Sequence, residues 1–179
     1  MKTVYLLTGK PGTGKTSLIK QAASGFRSAS GGFYTSEIRN QGVRLGFKLV
    51  TLDGQEATLA HVNFNKRFRV GKYGVDIAAM ERTGVHALRQ ASGRDGVIVI
   101  DEIGKMELLS PAFKEIISEI FNSDKKILGT IMLQPDPWAD TLKIHPNVNL
   151  VSLTRDNFPQ VLADVRQWLL TVSSDSHNI

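Results

Sequence analysis

Apolar residues along this chain alternate between short continuous runs and helical spacing, and the changes of rhythm mark its elements. Val4 to Thr8 is a short apolar run, followed by the glycine-rich stretch Gly9 to Gly14. Lys15 to Ser24 then has helical spacing and stops at Gly25. The pattern predicts strand, loop and helix. Gly32 to Arg39 and Val43 to Leu52 are rich in aromatic and β-branched residues and are separated by Asn40-Gln41-Gly42, and Asp53-Gly54 turns the chain into Glu56 to Val62. These segments predict a strand followed by antiparallel hairpin strands. Asn63 to Tyr73 has no period and reads as irregular. Val75 to Ala91 carries Ile77, Met80, Val85 and Leu88 at near-helical intervals and ends at Gly93. Val97 to Ile100 is continuously apolar, as expected of a strand buried on both faces of a parallel sheet.

The second half keeps the alternation. Ser110 can cap exposed amides and Pro111 suits the first helical position, so a helix should run from there to about Phe121. Ile127 to Leu133 predicts a strand, Ala139 to Ile144 a short helix, Val148 to Thr154 a strand, and Phe158 to Leu170 an amphipathic helix. Strands alternating with helices predict an α/β fold, a mostly parallel sheet flanked by helices with an antiparallel β-hairpin extension after the second strand. One domain over residues 1–172 and a frayed tail over 173–179 are expected.

Composition narrows the chemistry. The chain has 179 residues, 41% hydrophobic and 22% charged, which excludes a disordered or fibrous protein. With no cysteine, disulfide frameworks, thiolate metal sites and cysteine nucleophiles are excluded, and a reducing, cytoplasmic setting is expected. No apolar run approaches the roughly 20 residues of a membrane helix, and Val4 to Leu7 is too short for a signal peptide, so no membrane partner is expected. The net charge of +5 is unevenly spread, with 14 basic and 5 acidic residues in 1–90 but 8 and 12 in 91–179. The first half therefore either handles a polyanion or presents a solvated basic face.

The polyanion reading has a motif behind it. Gly9-Lys10-Pro11-Gly12-Thr13-Gly14-Lys15-Thr16 fits G-x-x-x-x-G-K-S/T and lies where its mechanism requires, after a strand and opening a helix. Its glycines let backbone N–H groups and a helix N-terminus converge on a phosphate. Lys15 reaches the β/γ oxygens, and the Thr16 hydroxyl is a ligand for Mg2+. Such a loop needs a carboxylate at the end of a neighbouring apolar strand, and Val97-Ile98-Val99-Ile100-Asp101 supplies one. Asp101 would hold the metal, and Glu102 beside it would orient and partly deprotonate an attacking water.

Asp101-Glu102-Ile103-Gly104 also matches the D-x-x-G of small GTPases, but the chain lacks the N/T-K-x-D guanine signature. Glu102 better fits phosphate-loop proteins in which a carboxylate beside the metal aspartate activates water. Thr130, on the strand Ile127 to Leu133, is a candidate for the polar side chain that touches that water.

These blocks resemble the nucleoside triphosphatases of the THEP or cancer-related type, small phosphate-loop proteins that hydrolyse several NTPs with Mg2+. The resemblance runs from Val4 to about Leu170 and rests on TGKPGTGKT at 8–16, GFYTSEIR at 32–39, VGKYGVD at 70–76 and VIVIDEIGKMELLSPAF at 97–113. It implies a RecA-like sheet with an antiparallel extension, nucleotide contacts from Gly9 to Thr16, and a second nucleotide-proximal segment from Val97 through Ile103 to Gly104. It further implies that Lys105 offsets developing γ-phosphate charge and that Arg39, Lys72 and Tyr73 line the open side of the site. By analogy with related folds, Thr154 and Arg155 would lie near the base. Two departures stand out. Asn157-Phe158 replaces an Asn-Arg pair, so no arginine serves from that position, and Asp136-Pro137 replaces a His-Pro.

Other signals carry less. His61, His86, His145 and His177 lack metal-ligand spacing, and Trp138 and Trp168 read as packing residues. Lys66-Arg67-Phe68-Arg69 mixes cations with an aromatic and reads first as solvated loop charge, with nucleic acid as the less favoured reading. The leading expectation is a Mg2+-dependent nucleoside triphosphatase acting on free nucleotides, with the oligomeric state left open and a monomer compatible with the sequence. A nucleotide or nucleoside kinase is the alternative, and an NTP-gated RNA- or protein-binding module the third.

Overall fold

The computed structural model of the chain describes residues 1–24 and 29–174. Its first half contains β1 (Val4–Thr8), α1 (Lys15–Ser24), β2 (Ala29–Asn40), β3 (Val43–Thr51), β4 (Glu56–His61), β5 (Arg69–Val70) and β6 (Tyr73–Val75). A helical segment follows as α2 (Ile77–Ala79), a π-helical stretch (Met80–Val85) and α3 (His86–Ser92). Then come β7 (Val97–Ile103), a 3-10 turn (Glu107–Leu109), α4 (Pro111–Phe121), β8 (Lys126–Ile131), α5 (Pro137–Lys143), β9 (Val148–Ser152) and α6 (Phe158–Ser174).

The strands form one nine-stranded sheet in the order β5-β6-β4-β3-β2-β7-β8-β1-β9. The run β2-β7-β8-β1-β9 is parallel, and β3 to β6 extend it antiparallel from β2. This is the RecA-like order: β8 lies between the strand feeding the glycine loop and the strand carrying Asp101. The long β2 joins the two parts, pairing with β7 from Ala29 to Tyr34 and with β3 from Phe33 to Asn40.

Each face of the sheet carries its own core because successive strand residues point to opposite sides. Ile98 and Ile100 pack with Phe113, Ile117 and Leu88 on one face, while Val97 and Val99 pack with Leu18, Val161 and Val165 on the other. Continuous apolar character in Val97 to Ile100 therefore serves two cores. The Ser110 cap is formed: its Oγ accepts from Phe113 N at 3.0 Å and donates to Glu81 at 2.9 Å.

Several boundaries differ from the sequence reading. The segment read as irregular contains the short β5–β6 hairpin, whose strands are too brief to show a period. The following helix starts at Ile77 rather than Val75, since Asp76 caps it by accepting from Ala79 N at 3.1 Å. Strand β7 continues through Ile103, so Asp101 and Glu102 lie within the strand, where the register against β8 shifts between Ile100 and Ile103. The last helix extends to Ser174 rather than stopping at Leu170, and the remainder of the expected frayed tail, 175–179, lies outside the described residues.

Candidate active site

The carboxyl ends of β1, β8 and β7 meet at one edge of the sheet, with Leu7 level with Thr130 and Leu6 and Ile100 both level with Gly129. Ligands of open α/β sheets bind outside such an edge. The glycine loop wraps over it from β1 into α1. Gly12 and Gly14 take positive φ of 78° and 92°, which lets the backbone turn tightly enough to point its amides inward. The Lys15 ammonium bridges the loop, donating to the carbonyls of Gly9 at 2.9 Å and Lys10 at 3.1 Å. Gly9 sits so close to the chain after β9 that a Cβ there would lie 2.6 Å from the Leu153 carbonyl oxygen. Gly9→Ala is accordingly expected to destabilise the protein by about 1–3 kcal/mol, a fall in thermal midpoint of roughly 2–12 °C by calorimetry.

Asp101 is buried at 2% exposure and is held from both sides. Its Oδ2 accepts from the Thr16 hydroxyl at 2.7 Å and its Oδ1 from the Thr130 hydroxyl at 2.6 Å. Burial raises its pKa, opposed by the two threonine hydrogen bonds and by the charges of Lys20 and Lys15. Glu102, half-buried, faces the same cleft. Burial and the Asp101 charge push its pKa up, while Lys15 pulls it down. The cleft has a volume of about 330 Å3 between Pro11, Gly12 and Gly14 to Ser17 of the loop and helix start and the hairpin residues Thr35, Ser36, Glu37 and Phe47. The paired Asp101 carboxylate and Thr16 hydroxyl are hard oxygen donors, and Mg2+ of the kind bound with nucleotide needs only one or two such protein groups beside substrate phosphates.

This architecture agrees with known proteins. A family model described as NTPase matches residues 4–166. The chain is 44% identical over 160 residues to the nucleoside-triphosphatase THEP1 of Thermotoga petrophila, covering 89% of both chains. It is 36% identical over 175 residues to the human cancer-related nucleoside-triphosphatase, covering 89% of this chain and 92% of the human one. The chain belongs to this nucleoside-triphosphatase family. The crystal structure of THEP1 from Aquifex aeolicus superposes with a TM-score of 0.86 at 30% identity, over 93% of this chain and 98% of that one. The solution structure of the human protein gives 0.77 at 34% identity over the whole of both chains.

The candidate site residues fall into distinct places. Of the loop, Pro11, Gly12, Gly14, Lys15 and Thr16 line the cleft, whereas Lys10 is exposed and contributes its carbonyl to Lys15 and Thr13. From the second segment only Asp101 and Glu102 face it. Val97, Ile98, Val99, Ile100 and Ile103 are core side chains at 0–1% exposure and support the site from beneath. Thr130 is fully buried, and its hydroxyl donates to Asp101. Arg39 is turned away from the cleft, bound to Glu37 at 2.6 Å and to the Gly42 carbonyl at 2.7 Å. Lys72 is exposed over the Tyr73 ring, and the Tyr73 hydroxyl accepts from Arg44 at 3.0 Å, so neither lines the cleft.

Arg155 does lie beside the loop, its Nε donating to the Gly12 carbonyl at 3.4 Å. The Thr154 N–H donates to Asn157 Oδ1 at 2.8 Å, closing the turn after β9. Both family departures have structural work. The Phe158 ring packs 3.0 Å from where a Cβ on Gly14 would stand, bracing the loop, and Asp136 caps α5 by accepting from Trp138 N and Ala139 N at 3.0 and 2.9 Å.

Among the residues set aside, Trp168 packs on Tyr5 and Trp138 against the core. His61 and His145 accept local backbone hydrogen bonds, and His177 lies outside the described residues. Arg69 is tied to the carbonyls of Phe64 and Lys72, and Lys66 pairs with Asp76 at 3.4 Å. Glu107 follows Asp101 closely in the sequence, but the motifs give it no role of its own. It is 4% exposed, and burial, with the Glu102 charge next, pushes its carboxyl up to about 8. A Cβ on Gly104 would lie 2.7 Å from Glu102 Oε1 and 3.0 Å from Glu107 Oε2, so both carboxyls crowd one glycine. An acidic residue inside the turn that follows an apolar strand was the available signal.

Proposed function

We propose that this protein is a Mg2+-dependent nucleoside triphosphatase that hydrolyses the β–γ bond of ATP, GTP and other NTPs to NDP and phosphate, with Glu102 as the base. The observation that carries this reading is the Glu102 carboxylate in the cleft, beside Asp101 on the same strand and within the field of Lys15. Burial strengthens it as a proton acceptor, which is what a base for water requires. Asp101 and Thr16 would hold Mg2+, which when bound would neutralise phosphate charge. Lys15 and the loop amides bind and orient the β- and γ-phosphates, and Glu102 takes the proton of water as its oxygen attacks Pγ.

The base of the nucleotide would lie toward β9, where Arg155 meets the loop at Gly12. That turn has no guanine signature, which suits acceptance of several bases. Lys105 is exposed beyond Glu102, where its charge would act on the phosphate from a distance. The reading extends to one domain over 1–172 acting on free cytoplasmic nucleotides. Among the described residues no helix is long and apolar enough to cross a membrane.

The test is phosphate release from each of the four common NTPs, with Mg2+ and with chelator. Release from several of them is expected, falling by roughly 10²-fold or more when the metal is removed. Release unaffected by chelation, or none from any NTP, would contradict the proposal.

A further inference from the structure

At Glu102 the cleft opens into a second chamber of about 560 Å3. It shares Pro11, Thr35, Phe47 and Glu102 with the nucleotide cleft, so the two spaces meet at the proposed base. Its volume is that of a small-molecule site. The inner wall is apolar: Phe47, Leu59 and Val70 come from the antiparallel extension, Met106 and Met132 from the loops after β7 and β8. Two methionine thioethers and a phenyl ring favour a flat aromatic guest over an aliphatic or sugar-like one. Charge selects further. Of the two cations in the lining, Arg44 is already engaged, donating to Glu37 at 3.0 Å and to the Tyr73 hydroxyl at 3.0 Å, and Lys105 is balanced by Glu102. Nothing here offers the surplus positive charge that a second nucleotide's phosphate would need.

We infer that this chamber binds a small uncharged aromatic alcohol as phosphoryl acceptor, with its hydroxyl presented to Glu102. The inference rests on the reading of Glu102 and the phosphate loop given above and names what replaces water there. In the step, the alcohol oxygen forms a bond to Pγ as the bond from Pγ to the β–γ bridging oxygen breaks. The hydroxyl proton passes to the Glu102 carboxylate. The products are the aryl-alkyl phosphate and NDP. The chain thus hydrolyses NTP when the chamber is empty of alcohol and transfers phosphoryl when it is filled.

The experiment incubates the full chain and Mg2+ with ATP carrying labelled γ-phosphate, in the presence of benzyl alcohol, 2-phenylethanol or 3-pyridinemethanol, with AMP as a charged comparison. Saturation-transfer NMR without nucleotide reads binding of the same alcohols. At least one alcohol is expected to bind and to take up label about tenfold or more faster than water does in the same reaction. Val70→Trp and Met106→Trp, on separate elements, fill the chamber and are expected to cut transfer about tenfold while hydrolysis without alcohol stays within about twofold of wild type. Label reaching only water with all three alcohols, label on AMP but on none of them, or undiminished transfer in both variants overturns the inference. The wild-type partition of label decides even where a variant folds poorly. Failure of hydrolysis without alcohol would count against the water reading alone, because alcohol binding is read without nucleotide.

Discussion

Glu102→Gln is expected to bind nucleotide as the wild type does and to lose roughly 10²–10⁴ in kcat for phosphate release, the range for removal of a positioned base. The amide keeps the size of the carboxylate and its place beside Asp101, but it cannot accept the proton of water. Binding should persist because the groups that grip phosphate are elsewhere: the loop amides, the Lys15 ammonium held at 2.9 Å from the Gly9 carbonyl, and the Asp101–Thr16 pair. Steady-state phosphate release and calorimetric nucleotide affinity separate the two quantities. Turnover equal to wild type would remove Glu102 as the base, and a parallel loss of affinity would recast it as a binding group.

The parts of this site that are contiguous in the chain were legible in the sequence. Residues 9–16 and the pair Asp101-Glu102 each sit at the end of an apolar run, and their chemistry depends on local backbone geometry. The parallel sheet was equally legible, since continuous runs such as Val97 to Ile100 have no exposed face to hide a polar residue. What pairing brings together was harder to see. Thr130 reaches Asp101 only because β8 is laid against β7, 29 residues later. In the GFYTSEIR block the family resemblance pointed to Arg39, yet Thr35, Ser36 and Glu37 face the cleft and Arg39 closes back on Glu37. Side-chain direction along β2 depends on its register with β3, which slips between Ile38 and Arg39. Arg44, hidden in a hairpin strand, is the arginine that reaches the second chamber.

Glu107 links the site to stability through pH. The folded chain holds this carboxyl near 8, while the unfolded chain has it at its ordinary 4.5. Between those limits the folded state binds a proton that the unfolded state has released. Unfolding therefore releases protons, and stability falls as pH rises through the window and levels off above it. The full span corresponds to roughly 3–5 kcal/mol at about 1.4 kcal/mol per pH unit. Thermal melts of the nucleotide-free chain from pH 5 to 8.5 should show this decline, to which the raised carboxyls of Asp101 and Glu102 add in the same direction. Glu107→Gln cannot ionise, and its amide oxygen can still accept from the Gly104 and Glu107 backbone N–H groups that the carboxyl now uses. The difference between the two melting curves thus isolates Glu107: near zero at pH 5, with the variant the more stable by pH 8.5. Curves that stay parallel would mean that the buried carboxyl is ionised throughout, and that the charge of Glu102 is opposed by a second fixed anion rather than by a proton-bearing neighbour.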